Sequence, residues 1–318
     1  MTQALVEAMP VWKQLARYLR AEDSVLLHAS RYHPIRPLLD GVGRFYTTSA
    51  PVRCVMLGPT PGRSGTMLDY SEFWSATQQG LAVSVKCSVS NVFSYKAAVR
   101  KLLQRCPERA LVVLETSEHQ LPDEHAVLLA TFNELLREFS QPGKLQVVAT
   151  DDYALRLPSP LPFFKEIHFG HLDIEVVGQC IEHISRTKVW NMSEANLHDL
   201  ARRVHAETGG HPGLFSSALE KLEQDGLDTN TAGTLDGVRQ HLESDDTVDR
   251  IVKALGADPY DLCRTALKFE TPERASPADR MSAFLLQLGV LRRYPLGKLE
   301  LYPGLITRLI KEMAGSPP

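Results

Sequence analysis

The chain has 318 residues, 43% hydrophobic and 23% charged, with a formal net charge of −3. That is enough for two or three domains with a sizeable core, too apolar for a disordered chain, and too near neutrality for a polycation that coats nucleic acid. Cys54, Cys87, Cys106, Cys180 and Cys263 are widely spaced and contain no CxxC pair, which points to buried thiols in a reduced compartment. The first twenty residues hold no apolar core of signal-peptide length, and no run of 18 apolar residues occurs. A cytoplasmic protein without a membrane span is therefore expected.

In chain order, residues 1–48 read as an N-terminal helical segment. Val52–Gly58 is a short apolar strand that runs into a Gly/Pro/Ser-rich loop, and Leu81–Cys87 is a second strand. A helix is predicted over Val92–Gln104. Arg109–Glu115, nearly all apolar, suits a strand buried on both faces. From Asp123 a helix carries Leu128, Phe132, Leu135 and Phe139 on one stripe and stops at Pro142-Gly143. Lys144–Thr150 and Glu166–Gly170 are the fourth and fifth strands, separated by the loop Pro158–Pro162. Short buried strands alternating with amphipathic helices give βαβ units and a parallel sheet with helices on both faces. Ligands bind such sheets at the carboxyl ends of the strands.

Beyond residue 172 the periodicity is helical. Val176, Val177, Cys180, Ile181 and Ile184 mark one helix. Ser193 caps a second that runs to Thr208, Gly209-Gly210-His211-Pro212 breaks it, and a third covers Leu214–Leu222. The polar, Gly-containing stretch 225–237 reads as a linker. Helices are then predicted around Val248–Leu255, Pro259–Phe269 and Pro277–Leu288. A hairpin follows over Gly289–Tyr302, turning at Leu296-Gly297-Lys298. Three helices and a hairpin make a winged helix.

Four strings carry chemistry. Gly58-Pro-Thr-Pro-Gly-Arg-Ser-Gly-Thr66 follows a strand as a phosphate-binding loop does, where glycines let backbone N–H groups cradle phosphates, a Lys reaches them and a Ser/Thr hydroxyl binds Mg²⁺. Gly58, Gly65 and Thr66 fill the glycine and hydroxyl positions but no Lys precedes Thr66. Taking Gly62-Arg63-Ser64 as that unit puts an Arg in the Lys position and shortens the loop, while Pro59 and Pro61 remove donors. Leu111-Val-Val-Leu-Glu115 resembles a strand that ends in metal-binding and water-polarising acids, with Glu115 alone where a pair is expected. Val147-Val-Ala-Thr-Asp151 offers Thr150 as a polar sensor. Gly210-His211-Pro212 matches a G-x-P element.

Together these strings resemble the STAND branch of the AAA+ P-loop ATPases, which includes NB-ARC-type and archaeal-type regulators, with both Walker motifs degenerate. The resemblance implies a P-loop NTPase-like α/β domain over 49–172, a helical lid over 173–230 and a winged-helix domain over 231–318. It implies ATP or ADP with Mg²⁺ as cofactor, held by Gly58, Gly62, Arg63, Ser64, Gly65, Thr66 and Thr150, with Pro212 against the base. Thr66 and Glu115 would hold the metal, and Glu115 would act in catalysis. The lost charges point to weak hydrolysis or none, and to a chain that can also work without nucleotide. It reads as a regulatory scaffold that binds partner proteins, in a setting such as signalling or anti-phage defence. One alternative is an active ATPase using Arg63. Another is a DNA-binding winged helix, related to transposition or replication ATPases, with Arg292, Arg293 and Lys298 on phosphates. His168, His171, Cys180 and His183 cluster in sequence without a closed zinc-site spacing.

Overall fold

The computed structural model describes residues 6, 9–49, 52–59, 67–75, 86–88, 109–114, 122–139, 145–153, 161–188, 190, 192–225, 231–275 and 279–315. It divides into two compact units. One is Val11–Ala29 with Leu38–His168; the other is Met1–Pro10, Ser30–Pro37 and Phe169–Pro318.

The first unit is built on a seven-stranded sheet. Helix α1 (Pro10–Arg20) precedes β1 (Ser24–Ala29), and α2 (Ile35–Ser49) leads to β2 (Val52–Pro59), β3 (Met67–Ser75) and β4 (Lys86–Ser88). Strand β5 (Arg109–Leu114), α3 (Pro122–Glu138), β6 (Leu145–Asp151) and β7 (Phe164–Phe169) complete it. The strand order is β4-β3-β2-β5-β6-β1-β7. The pairs β2/β5, β5/β6 and β1/β6 are parallel, and β3 and β4 extend the sheet antiparallel. Every residue of β1 and β6 is buried, as expected of strands covered on both faces.

The α/β reading is correct in outline, and several details differ from it. The segment 1–48 is not wholly helical, because Ser24–Ala29 is a strand inside the sheet, between β6 and β7. Its Leu-Leu-His-Ala composition carries little β-propensity, and burial on both faces decides its state. The sheet is mixed, since β3 was not anticipated. Of the second expected strand, Lys86 and Cys87 lie in β4 (Lys86–Ser88), while residues 81–85 and the helix expected over Val92–Gln104 lie outside the described residues.

The second unit holds α4 (Ile174–Lys188), α5 (Glu194–Thr208), α6 (Pro212–Asp225) and α7 (Thr231–Glu243). These are followed by α8 (Asp246–Leu255), α9 (Pro259–Leu267), α10 (Arg280–Gln287), the hairpin β8 (Leu291–Tyr294) and β9 (Lys298–Leu301), and α11 (Leu305–Gly315). Side-chain caps start many of these helices. Ser193 accepts from Asn196 N–H, Asp245 from Thr247 N–H, and Asp279 from Met281 N–H and Ser282 N–H. The expected linker over 225–237 is helical from Thr231. There Val238 and Leu242, four residues apart, are fully buried and turn a polar stretch into one face of a packed helix. Among the described residues no helix is long and apolar enough to cross a membrane.

The Gly209-Gly210 break is sterically fixed. Gly209 ends α5 in the left-handed region with φ 60°, its N–H donating to His205 O. At Gly210, φ 69°, an added Cβ would lie 2.2 Å from Leu172 O. Only glycine fits so close a backbone approach.

Candidate functional site

In an open α/β sheet the ligand crevice lies where neighbouring strands send their connections in opposite directions. Here the connection from β1 crosses past β6 and β5 to β2, while that from β6 returns past β1 to β7. The reversal therefore falls between the carboxyl ends of β1 and β6.

Within the sheet unit, this edge carries a polar cluster. His28 and Asp151 are partners in the β1/β6 register, so their side chains leave the same face. His28 Nδ1 lies 2.8 Å from Asp151 Oδ2, with both residues buried. His28 Nε2 is 3.5 Å from Glu166 Oε2 on β7. The His28 ring lies near-parallel to the rings of His168 and Tyr153, with centroids at 4.8 and 5.7 Å. Asp151 Oδ1 and His28 Nε2 are buried and have no hydrogen-bond partner among the described residues. Thr150, the sensor candidate, is fully buried in β6.

In the helical unit, the loop that leaves β1 is bound to its own chain. Ser30 Oγ donates to Leu286 O at 2.8 Å and Arg31 N–H to Gln287 O at 2.8 Å. His33 N–H donates to Ser30 O at 3.0 Å and Ile35 N–H to His33 O at 2.8 Å. Pro34 has no N–H. The loop Ser30-Arg-Tyr-His-Pro34 contains no Gly and no Lys. A triphosphate needs convergent, uncommitted N–H groups and a cation that reaches it, and this loop does not fit one.

His33 is the centre of that packing. Its Nδ1–H donates to Phe169 O at 2.8 Å, which leaves Nε2 unprotonated and buried. Burial pushes its pKa down to about 4, against the pull of the Phe169 carbonyl. His211 meets it edge to face, centroids 5.0 Å apart. Nδ1 of His211 accepts from Gly213 N–H at 3.1 Å and Leu214 N–H at 3.2 Å, so its own proton sits on Nε2. The first-turn donors of α6, another natural anion site, are thus capped internally. Burial, then His33, holds the His211 pKa well below the ordinary imidazole value. Tyr302 packs on the same ring at 4.8 Å. Gly289 faces it too, since a Cβ there would lie 2.7 Å from His211 Nε2.

The residues picked out from sequence are placed as follows. Gly58 lies at the carboxyl edge beside β5, two strands from the reversal point, and it pairs with Asp69 in an antiparallel ladder that extends to Pro59 and Leu68. The next described element is a strand, where a phosphate-binding loop opens a helix. Gly62, Arg63, Ser64, Gly65, Thr66 and Glu115 lie outside the described residues. Pro212 is buried at the first position of α6.

Of the basic residues proposed for DNA, Arg292 is committed internally. Its Nε lies 2.7 Å from Glu300 Oε2, and its guanidinium sits 5.7 Å from the Tyr302 ring centroid. It also contacts His171, whose pKa falls to about 4 through burial and then this positive neighbour. Arg308 pairs with Glu207 and Lys311 with Glu270, each at 2.6 Å. Arg293 is exposed and Lys298 partly so, at the hairpin. His168, His171, Cys180 and His183 form no metal centre: among the described residues no group of three metal-ligating side chains gathers.

Sequence reading missed His28, Asp151 as a partner, His33 and the whole β1 loop. A strand followed by Ser-Arg-Tyr-His-Pro has no glycine signature. Only the strand order shows that it occupies the position of interest.

No protein-family model matches the chain, and no curated protein matches it in sequence. Among solved structures, the Walker-type ATPase PABY2304 of Pyrococcus abyssi aligns over 95% of this chain and 94% of its own, at 10% identity and TM-score 0.55. The Thermotoga maritima RuvB Holliday junction branch migration motor aligns over 97% and 95%, at 14% identity and TM-score 0.47. Cdc6p of Pyrobaculum aerophilum aligns over 98% and 92%, at 15% and 0.42. The fold is similar to that of the Walker-type ATPase PABY2304. At such identity the likeness carries the fold alone.

Proposed function

We propose that this chain is a nucleotide-independent scaffold built on an ATPase fold, and that it acts by binding partner proteins through the lid and the C-terminal region, which we read as a winged helix. The supporting observation is the β1 loop. It stands where the strand order reverses, lacks Gly and Lys, and has its donors bound to Gln287 O, Ser30 O and His33 O. His211 caps the neighbouring helix start, and the Arg292–Glu300, Arg308–Glu207 and Lys311–Glu270 pairs argue for a protein-binding rather than a phosphate-binding surface.

Calorimetric titration with ATP and ADP, with and without Mg²⁺, tests this. The expected result is no saturable binding up to about 1 mM. Tight ADP binding overturns it in favour of a nucleotide-gated switch. ATP turnover abolished by Arg63→Ala overturns it in favour of an enzyme. Steeply salt-dependent duplex binding, lost on changing Arg293 and Lys298, would move the reading to DNA.

A further inference from the structure

The outward face of α1, in the sheet unit, is basic along its whole length. The helix reads Pro-Val-Trp-Lys-Gln-Leu-Ala-Arg-Tyr-Leu-Arg and contains no carboxylate. Val11, Trp12, Leu15, Ala16 and Leu19 are buried. Lys13, Arg17 and Arg20 are exposed, and they follow one another at i, i+4 and i+7, which places them on one stripe opposite the buried face. The stripe runs about 10 Å along the helix. Among the described residues none of the three has an ion pair. Arg17 and Arg20 lie over aromatic rings instead, 5.1 Å from the Tyr18 centroid and 5.6 Å from that of Phe45 on α2. Such contacts orient a guanidinium without neutralising it.

Lys165 on β7 adds a fourth exposed cation without an ion pair among the described residues. Its neighbour Glu166 leaves the other face of the strand, towards His28. The Tyr18 hydroxyl reports the resulting field. Its pKa is lowered, first by hydrogen bonds with Gln14 and Arg17 and then by the charges of Arg17 and Lys165. In a chain with 38 acidic and 35 basic residues, four uncompensated cations around one helix are a local concentration of charge.

We propose that this face of α1 docks an acidic helix of a partner protein. Charge complementarity calls for an anionic occupant, and spacing selects a helix. Successive cations of the stripe rise by about 6 and about 4.5 Å. A second helix with carboxylates at matching i, i+4 and i+7 positions meets all three, whereas the even repeat of a phosphate backbone fits one interval or the other. A long polyanion also meets the rest of a chain whose net charge is −3, while a short acidic segment meets the stripe alone. The stripe exposes no apolar side chain, so the contact is electrostatic and salt-sensitive. It adds a surface on the sheet unit to those proposed on the helical unit, and it stands whether or not nucleotide binds.

Fluorescence anisotropy with the full chain tests it. The probe is a labelled alanine-based helical peptide of about 20 residues, with Glu at i, i+4 and i+7 along one face. Two controls are a peptide of the same composition with its Glu residues spread around the helix, and an oligo-dT of equal charge. At about 20 mM salt the striped peptide should bind with a Kd under about 1 mM, and at about 150 mM salt at least about fivefold more weakly. Lys13→Gln with Arg17→Gln, at exposed positions where Gln is a good helix former, should weaken binding at least about tenfold. Lys13→Glu with Arg17→Glu should instead bind the corresponding Lys-striped peptide. Absence of binding at low salt, equal binding of the spread peptide, tighter binding of the oligo-dT, or an unchanged affinity in the Gln variant overturns the proposal.

Discussion

Acid should loosen the helical unit through His33, and the size of the effect follows from its surroundings. The imidazole is buried and its pKa falls from 6.5 to about 4. The unfolded chain therefore binds a proton between those values while the folded chain does not. Stability contributed by neutral His33 is fully present above pH 6.5 and is lost as pH falls through the window towards 4. At pH 5 the difference is about 1.5 proton-decades, or roughly 2 kcal/mol. His211 acts in the same direction, with burial the leading cause and His33 the next. The groups facing His33 are Phe169 O, the His211 ring and the Tyr302 ring, and none is a carboxylate that would stabilise an imidazolium. Hydrogen exchange on peptides from α5 and α6, corrected for intrinsic rates, reads the local opening energy. Protection should fall about 30-fold or more between pH 7 and pH 5. In His33→Phe it should start lower, because Phe169 O loses its donor, yet lose about 30-fold less over the same interval. An unchanged pH slope in that variant would refute the reasoning.

Three further outcomes follow from the geometry. Gly210→Ala should cost more than about 2 kcal/mol in urea unfolding, because it combines a positive φ with a Cβ placed 2.2 Å from Leu172 O; a cost under half of that would show the turn adapts. Ser217→Ala should cost about 1–2 kcal/mol, since the hydroxyl lies 2.5 Å from Asp245 Oδ2 and 3.0 Å from His241 Nε2 and ties α6 to α7 and the cap of α8. Leu296→Asn should raise stability in urea unfolding by up to about 1 kcal/mol by relieving the left-handed strain at φ 65°; an unchanged or lower stability would show that the turn carries no such strain.

Much of the fold was readable because burial and periodicity act locally. β5 and β6 are apolar runs of strand length, β7 alternates buried and exposed residues, and α3 to α6 carry stripes at helical spacing, with Ser193 capping the start of α5. The Gly209-Gly210 break was legible for the same reason, since a left-handed cap and a close backbone approach both demand glycine. The position of the site was not legible. Gly58–Thr66 has the composition of a phosphate loop, but composition does not say which strand is central. β1 is the six-residue segment Ser-Val-Leu-Leu-His-Ala, with Val25 its one β-branched residue, and its strand state comes from sheet neighbours on both sides. Asp151 was visible as a strand end, whereas its pairing with His28 spans 123 residues, a distance no local pattern reports.

In a nucleotide switch, a loop after the central strand and a lid element are held together by a ligand with affinity for both, so their association depends on that ligand. Here the same two pieces of chain meet directly. His33 packs on His211, Ser30 Oγ and Arg31 N–H bond the last turn of α10, and Gly213 approaches Tyr32 O so closely that a Cβ would lie 2.5 Å away. These contacts are made by neutral, buried groups at physiological pH, and no ligand leaves when they form. A ligand with no differential affinity for two states shifts nothing, and on the proposed reading a site already filled by its own chain offers nucleotide no such difference. On the proposed reading the helical unit is held in one arrangement at neutral pH. Regulation would then enter through what docks on its exposed surfaces, and opening the His33–His211 contact by mutation tests whether the two rings are what withholds the loop amides from phosphate. His33→Ala with His211→Ala should therefore either remain inert to ADP in calorimetry, if the missing Gly and Lys are decisive, or gain weak binding, if occlusion by the two rings was. The first outcome is expected, because removing the rings leaves Arg31 N–H on Gln287 O and supplies no cation.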